Sequence, residues 1–227
     1  MNILALETST EYLSVALAGD ADVVARDCLA GQKHSQLILP MVEAVLHEAG
    51  VSRLDIDAVA FGAGPGSFTG LRIACGVAQG LGFGLGIPVI PVPTLEAVAE
   101  GVGAAKVLVA IDARMGEVYC AAFERDAAGW TAVMETTLCK PDLAPALTGD
   151  KWFAVGSGFA AYTEALQARY AGQIIGVDAK TVPHARAVAL LGRIRHAKGM
   201  VVAPAEAAPL YIRNKVALTV DEQAASR

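Results

Sequence analysis

Three acidic positions have the surroundings that phosphate or metal chemistry requires. Glu7 opens the polar turn Glu7-Thr8-Ser9-Thr10 at the end of an apolar run from Ile3, and Asp112 and Glu117 stand at the end and the start of two later apolar runs. Carboxylates and hydroxyls at strand ends can converge on a cleft and face a phosphate or a metal; they serve equally well as hairpin turns or turn caps. A second candidate is Gly62-Ala63-Gly64-Pro65-Gly66-Ser67, where an apolar run hands over to a helical one. Backbone N–H groups in such a loop come close to whatever lies above it, and Ser67 or Thr69 can cap the helix that follows. Glu7, Thr8, Ser9, Thr10, Gly64 and Gly66 are therefore the expected phosphate or nucleotide contacts. The loop has neither the Gly-Lys-Ser/Thr ending of a P-loop nor the Gly-x-Gly-x-x-Gly of a dinucleotide fold.

Other chemistry lacks a complete set of parts. Ser9, Ser14, Ser35, Ser67 and Ser157 are candidate nucleophiles, but none sits in a Gly-x-Ser-x-Gly elbow, and Gly156-Ser157-Gly158 reads as a turn. Cys28, Cys75, Cys120 and Cys139 form no C-x-x-C pair and read as buried, reduced thiols of a cytoplasmic protein. His34, His47, His184 and His196 lack metal-ligand spacing. No catalytic residue and no metal ligand is expected.

The chain has 227 residues, 54% hydrophobic and 18% charged, which is rich in apolar side chains for a monomer and suggests surface covered by a partner. A net charge of -5 argues against a dedicated nucleic-acid binder; the only basic cluster is Arg186, Arg193, Arg195 and Lys198, so any RNA contact would be local. No signal peptide is expected, because the first apolar run meets Glu7 at once and has no cationic lead. The stretch from Ile73 to Val92 is uncharged and of membrane-spanning length, but Gly80, Gly82, Gly84, Gly86 and Pro88 divide it into a helix and a strand.

The elements that position these residues follow from periodicity. Ile3–Glu7, Leu13–Leu17 and Asp22–Cys28 read as a three-stranded meander. A helix follows from Ser35, its candidate N-cap, to Gly50, with one apolar stripe at Ile38, Val42, Val45 and Ala49 and a second at Leu37, Met41 and Ala44. The second stripe is available for a neighbouring helix. Asp57–Phe61 is a strand leading into the glycine loop, and along the next helix Gly76, Gly80 and Gly84 recur every fourth residue, leaving one face nearly bare. Leu37, Met41, Ala44, Leu71, Gly76, Gly80 and Gly84 are the expected partner or dimer surface. After a strand at Pro88–Val92, a helix capped by Thr94 and a boundary at Gly101–Gly103, the order restarts with strands at Lys106–Asp112, Glu117–Glu124, Trp130–Thr137, Trp152–Val155 and Ile174–Val177. Helices are expected at Phe159–Tyr170 and His184–Lys198. Two passes of this kind predict a duplicated α/β architecture with halves at 1–103 and 104–206 and a cleft between them. The tail at 207–227 is expected to pack back on the first half through Leu210, Tyr211 and Ile212.

Gly62-Ala63-Gly64-Pro65-Gly66-Ser67-Phe68-Thr69-Gly70-Leu71-Arg72 resembles the signature of the TsaB (YeaZ) family. Leu6-Glu7-Thr8-Ser9-Thr10, Lys33-His34-Ser35, Pro93-Thr94-Leu95-Glu96, Ile111-Asp112-Ala113-Arg114 and Pro209-Leu210-Tyr211-Ile212-Arg213 extend the resemblance over essentially the whole chain. Glu7 stands where that family usually carries aspartate. The resemblance implies an actin-like, sugar-kinase-like (ASKHA) fold of two α/β halves. It also implies a non-catalytic subunit that pairs with TsaD, and with the ATPase TsaE, in making threonylcarbamoyladenosine at position 37 of tRNA. TsaD has two metal-binding histidines four residues apart; Thr94 and Val98 stand in their places here, and neither can hold a metal. The expected partners are TsaD, TsaE and a second copy of the chain, with tRNA met only through the complex and no membrane contact. No cofactor of its own is expected, and ATP or ADP would sit at the junction with a partner. The competing class is a nucleotide-dependent kinase of the same fold, which would carry phosphate-loop glycines in both halves; the second-half turn reads Ala113-Arg114-Met115-Gly116. A peptidase, the third class, lacks a nucleophile and a metal.

Overall fold

The computed structural model describes residues 1–20, 22–127 and 129–212. Two five-stranded mixed sheets carry the same topology. The first is built from β1 (Ile3–Glu7), β2 (Tyr12–Ala18), β3 (Val23–Leu29), β4 (Ala58–Gly64) and β5 (Val89–Pro93), in the order β3-β2-β1-β4-β5. The second is built from β6 (Lys106–Arg114), β7 (Glu117–Asp126), β8 (Gly129–Cys139), β9 (Trp152–Val155) and β10 (Ile174–Asp178), in the order β10-β9-β6-β7-β8. In each half the first three strands form an antiparallel meander and the last two run parallel to the first. The duplicated α/β architecture is therefore two separate sheets.

Alternation of side-chain size decides which helix covers which face of the first sheet. Leu4, Leu6, Val59 and Phe61 point to the side that carries α1 (His34–Ala49) and α2 (Phe68–Leu85), and all four are buried with Ile38, Val42 and Val45 of α1. Ile3, Ala5, Ala16, Ala18, Ala58 and Ala60 point to the other side. Successive residues of a strand face opposite ways, so one face is bulky and the other nearly flat. The flat face lets α6 (Ala185–Ala197) come down very close: a Cβ on Gly192 would lie 2.9 Å from the Ala60 methyl.

That placement corrects the sequence-based division at 104–206. α6 follows the last strand of the second half but packs on the first sheet, among its alanines. Conversely α3 (Thr94–Glu100), which follows the last strand of the first half, buries Leu95, Val98 and Ala99 against Val107, Val109 and Tyr119 of the second sheet. The halves thus exchange their final helices. Glu96 of α3 and Arg195 of α6 meet at 2.5 Å, and Glu100 accepts from the Trp130 indole at 2.6 Å and pairs with Arg125 at 3.2 Å. The far face of the second sheet is covered by α4 (Gly158–Ala161) and α5 (Thr163–Arg169), through Phe159, Leu166 and Tyr170. The single helix expected over this stretch breaks at Tyr162, whose φ of -134° and ψ of 45° leave the helical region.

Beyond α6 the chain returns to the first half. Val202 pairs with Val89, Gln79 donates to the Ala207 carbonyl at 3.0 Å, and the Leu210 N–H reaches the Ala63 carbonyl at 2.7 Å. The remainder of the expected tail, from residue 213, lies outside the described residues. α1 begins without a side-chain cap on Lys33, so Ser35 does not cap it; Gly50, at φ 65°, ends it.

The glycines of α2 divide sharply by what lies beside them. A Cβ on Gly82 would meet Pro204 and Val89 side chains at 2.8 Å, whereas nothing lies within 4 Å of one on Gly76, Gly80 or Gly84. We therefore expect Gly80→Ala to raise stability by roughly 0.5–1 kcal/mol, since alanine restricts the unfolded chain and meets no clash. Gly82→Ala should lower it by about 1–3 kcal/mol through overpacking. Urea melts of the two variants should shift their midpoints in opposite directions at unchanged slope.

Candidate functional site

The glycine loop and the first polar turn do come together, but they pack on each other. Gly62, Gly66 and Gly70 face Glu7, Ser9 and Thr8 in turn. A Cβ on Gly62 would collide with the Glu7 carboxyl, one on Gly66 would lie 2.6 Å from the Ser9 Cβ, and one on Gly70 would strike the Thr8 carbonyl. The contact is then stitched by hydrogen bonds. The Thr8 hydroxyl donates to the Gly70 carbonyl at 2.7 Å, the Ser67 N–H donates to the Ser9 carbonyl at 2.8 Å, and the Ser9 N–H donates to Glu7 Oε1 at 2.6 Å. Ser67 Oγ accepts the Gly70 N–H at 3.3 Å and so caps α2.

This geometry places most of the expected phosphate contacts inside the fold. Glu7, Thr8 and Ser9 are each less than 5% exposed. Gly66 is filled by Ser9, and the space beside Gly64 is taken by the Leu210 carbonyl, 2.8 Å from a Cβ built there. Thr10 is half-buried, and its hydroxyl accepts the Tyr12 N–H at 3.1 Å to close the turn. The Gly64 N–H is also spent, donating to Thr94 Oγ1 at 3.1 Å. Thr94 is thus an anchor for the loop, with no side-chain cap role at the start of α3. Val98, four residues on, is buried in the cluster around Val107 and Val109.

The cleft between the halves lies in front of this packed region. It is a cavity of about 260 Å³ lined chiefly by Phe68, Leu71, Arg114, Met115, Tyr119 and Tyr211. Gly66 and Ser67 of the glycine loop also line it, whereas Glu7 and Asp112 do not. Asp112 accepts the Arg114 N–H at 2.8 Å and the Tyr162 hydroxyl at 3.2 Å, so it stabilises the β6–β7 turn, in which Arg114, Met115 and Gly116 all have positive φ. Glu117 begins β7 on the other side of that turn. A pocket with this lining suits binding by apolar contact and a single cation. It offers no acid and base at hydrogen-bond distance.

One arrangement escaped the sequence altogether. Ser14 on β2, His184 before α6 and Asp27 on β3 line up as hydroxyl, imidazole and carboxylate, with Ser14 Oγ 3.4 Å from His184 Nδ1 and His184 Nε2 2.9 Å from Asp27 Oδ1. A hydrolase would need that serine open to substrate. Instead Ser14 is 3% exposed and its Oγ accepts the Ala185 N–H at 2.8 Å, while the Arg186 N–H donates to Nδ1 at 3.3 Å. Both side chains are thus spent on the first N–H groups of α6, and Asp27 holds the imidazole in that role. Nothing in the sequence joins residues so far apart. Two of the thiols are likewise withdrawn from chemistry, since burial pushes the Cys120 thiol up to about 12 and raises that of Cys75, whereas Cys28 and Cys139, expected to be buried, are only half-buried. Among the described residues no group of three or more His, Cys, Asp and Glu is placed to hold a metal ion, and no helix is long and apolar enough to cross a membrane. Three of the four residues of the basic cluster bond within the chain, Arg186 to the Val23 carbonyl, Arg193 to the Gly19 carbonyl and Arg195 to Glu96, while Lys198 is exposed.

The expected interface residues separate into two groups. Gly76, Gly80 and Gly84 are exposed along the outward side of α2, beside Phe83, which is 63% exposed. Leu37, Met41 and Ala44 are half-buried, and Met41 takes the Cys28 thiol of β3 at 3.6 Å, so this stripe leans over the edge strand rather than toward α2. Leu71 is 2% exposed and packs behind Gly64 at the floor of the cleft, away from the outward side of α2. Leu39, half a turn around α1 from Met41, is 51% exposed.

Glu7 supplies a pH test of the packed turn. Burial pushes its carboxyl above the ordinary 4.5, against the bonds from Ser9 that lower it, and Glu7 Oε2 has no partner among the described residues. In the unfolded chain the group releases its proton near the ordinary value, while the folded chain retains it to higher pH. Folding is therefore unpenalised below about pH 4.5 and loses up to about 1.4 kcal/mol for each further pH unit until the folded value is reached. Glu7→Gln keeps the acceptor for Ser9 and removes the titration, so its stability relative to the parent should climb with pH over the range above about 4.5. Urea midpoints across that range check this; a difference independent of pH would place the charge elsewhere.

Comparison with known proteins fits this frame. The family model described as TsaD, tRNA N6-adenosine threonylcarbamoyltransferase, matches residues 28–220. The tRNA threonylcarbamoyladenosine biosynthesis protein TsaB of Escherichia coli is 42% identical over 226 residues, 96% of each chain, and that of Haemophilus influenzae is 36% identical over 95% of each. The solved structure of YeaZ from Pseudomonas aeruginosa superposes with a TM-score of 0.87 at 37% identity, covering 92% of this chain and 99% of that one. Ethanolamine utilization protein EutJ from Carboxydothermus hydrogenoformans, at 11% identity and a TM-score of 0.50 over 84% and 89% of the two chains, shares the fold alone. With two α/β halves of the actin-like, sugar-kinase-like class and near full-length identity of this order, the chain belongs to the TsaB (YeaZ) family of tRNA threonylcarbamoyladenosine biosynthesis proteins, within the wider TsaD family.

Proposed function

We propose that this chain is a non-catalytic subunit of the assembly that makes threonylcarbamoyladenosine in tRNA, working in the cytoplasm by docking on a TsaD subunit. TsaE joins the assembly, tRNA is met only through it, and ATP or ADP is held at the junction with a partner. The observation that carries the reading is the pairing of a closed turn with an open helix. The residues that would handle a phosphate are packed against Gly62, Gly66 and Gly70, while Gly76, Gly80 and Gly84 expose bare backbone that no part of this chain covers among the described residues. Glycines inside a helix weaken it, so a face of them is best explained by a second helix that needs the close approach. Phe83 adds exposed apolar area on the same helix, and Leu39 exposes more on α1. The same surface serves a dimer of this chain, so the two assemblies compete.

Reconstitution with purified TsaD, TsaE and the threonylcarbamoyl-adenylate supply should form the modified nucleoside only when this chain is present, and this chain alone should form none. Gly80→Leu puts a branched side chain on the open face, where the isolated fold has room for it. The loss expected across a tight helix contact, about 1–3 kcal/mol, weakens TsaD binding by roughly fivefold to a hundredfold. Calorimetric titration of the folded variant against TsaD, with sedimentation for the homodimer, reads the effect; unchanged binding in both would move the interface off α2.

A further inference from the structure

Helix α2 is weak by its own composition, with five glycines in 18 residues and an outward side that nothing in the chain covers among the described residues. Its inner side rests on the first sheet through Leu71, Ala74 and Ala78. One flank is bolted down by the segment that follows α6. Pro204 fills the space at Gly82, and the Ala207 carbonyl accepts the Gln79 amide at 3.0 Å and the Cys75 thiol at 3.5 Å. Near the start of the helix Tyr211 sits against Phe68 with ring centroids 5.6 Å apart. Arg72 Nε donates to the Tyr211 hydroxyl at 3.0 Å, and the Arg72 guanidinium lies 3.8 Å from the Phe68 ring centroid. The Leu210 N–H, bonded to Ala63 at 2.7 Å, fixes the segment to the loop in front of the helix, and Ile212 packs on the second-half cluster. The attachments span α2 from its first turn to its last.

We propose that residues 204–212 are a brace that preorganises α2 for its partner, so that seating of the brace and docking of TsaD on the glycine face are positively coupled. The proposal rests on the docking role assigned to α2. A partner that meets a loosened helix must order it on binding, and a braced helix has already lost that freedom, so the brace raises affinity without touching the partner. Linkage then requires the reverse effect: a docked partner must tighten the brace by the same factor.

Two full-length variants test this. Tyr211→Ala removes the ring against Phe68 and the bond to Arg72; Leu210→Pro removes the N–H that reaches Ala63. Amide hydrogen exchange in the free chain should be about tenfold or more faster in α2 for both variants, with α1 unchanged as the internal reference. Titration should show TsaD bound about tenfold more weakly, a coupling of ordinary size, and TsaD should slow exchange of the Leu210 amide in the parent chain. Unchanged exchange in α2, unchanged TsaD affinity, or tighter binding once the brace is loosened would each overturn the proposal. A parent chain that binds no TsaD sinks the docking reading and the coupling with it, while exchange of α2 in the free chain decides the brace separately.

Discussion

The approach of backbone to backbone between the glycine loop and the first hairpin turn is the contact on which the rest of the structure depends. Three glycines spaced by four residues admit three consecutive residues of the turn, and any side chain at Gly62, Gly66 or Gly70 would push the two apart. Because the turn closes β1 onto β2 and the loop launches α2, this one contact fixes the depth of the first hairpin and the origin of the helix at once. It also explains a carboxyl kept from water. Glu7 reaches into the volume that Gly62 leaves vacant and takes the Ser9 N–H, an arrangement that holds the turn and is incompatible with presenting the same carboxyl to a phosphate.

Much of the fold was legible because strand and helix periodicities are local. The strands at Ile3–Glu7 and Trp152–Val155 have the bounds that their composition predicts, and the restart near Lys106 separates two sheets of equal topology. The site was less legible. Spacing by four shows that glycines share a face, yet the same spacing describes Gly62, Gly66 and Gly70, which are filled by the turn, and Gly76, Gly80 and Gly84, which face open space. A polar turn after a buried strand likewise reads the same whether it looks into a cleft or lies under a loop. The alignment of Ser14, Asp27 and His184 has no signal at all, since it is made by a helix arriving from the other half.

The physical logic of that arrival is size. Alanines on β1, β2 and β4 leave a shallow face that only a close-packed helix can fill, and Gly192 supplies the closeness. The leucines, valines and phenylalanine on the opposite face require the wider-spaced cover given by α1 and α2. Helices and faces are thus matched by volume, regardless of which half of the chain encodes them.

The exchange of final helices sets an order on synthesis. β5, the last strand of the first sheet, ends at Pro93, whereas the helix that roofs its alanine face ends at Ala197, about 100 residues later. At ordinary translation speeds of roughly 5–20 residues per second, that face waits several seconds or more for its cover. During this interval the emerging chain presents a flat apolar sheet, so the first half cannot mature as an independent unit ahead of the second. Folding of the two halves becomes a single event that is completed only once α6 has been made.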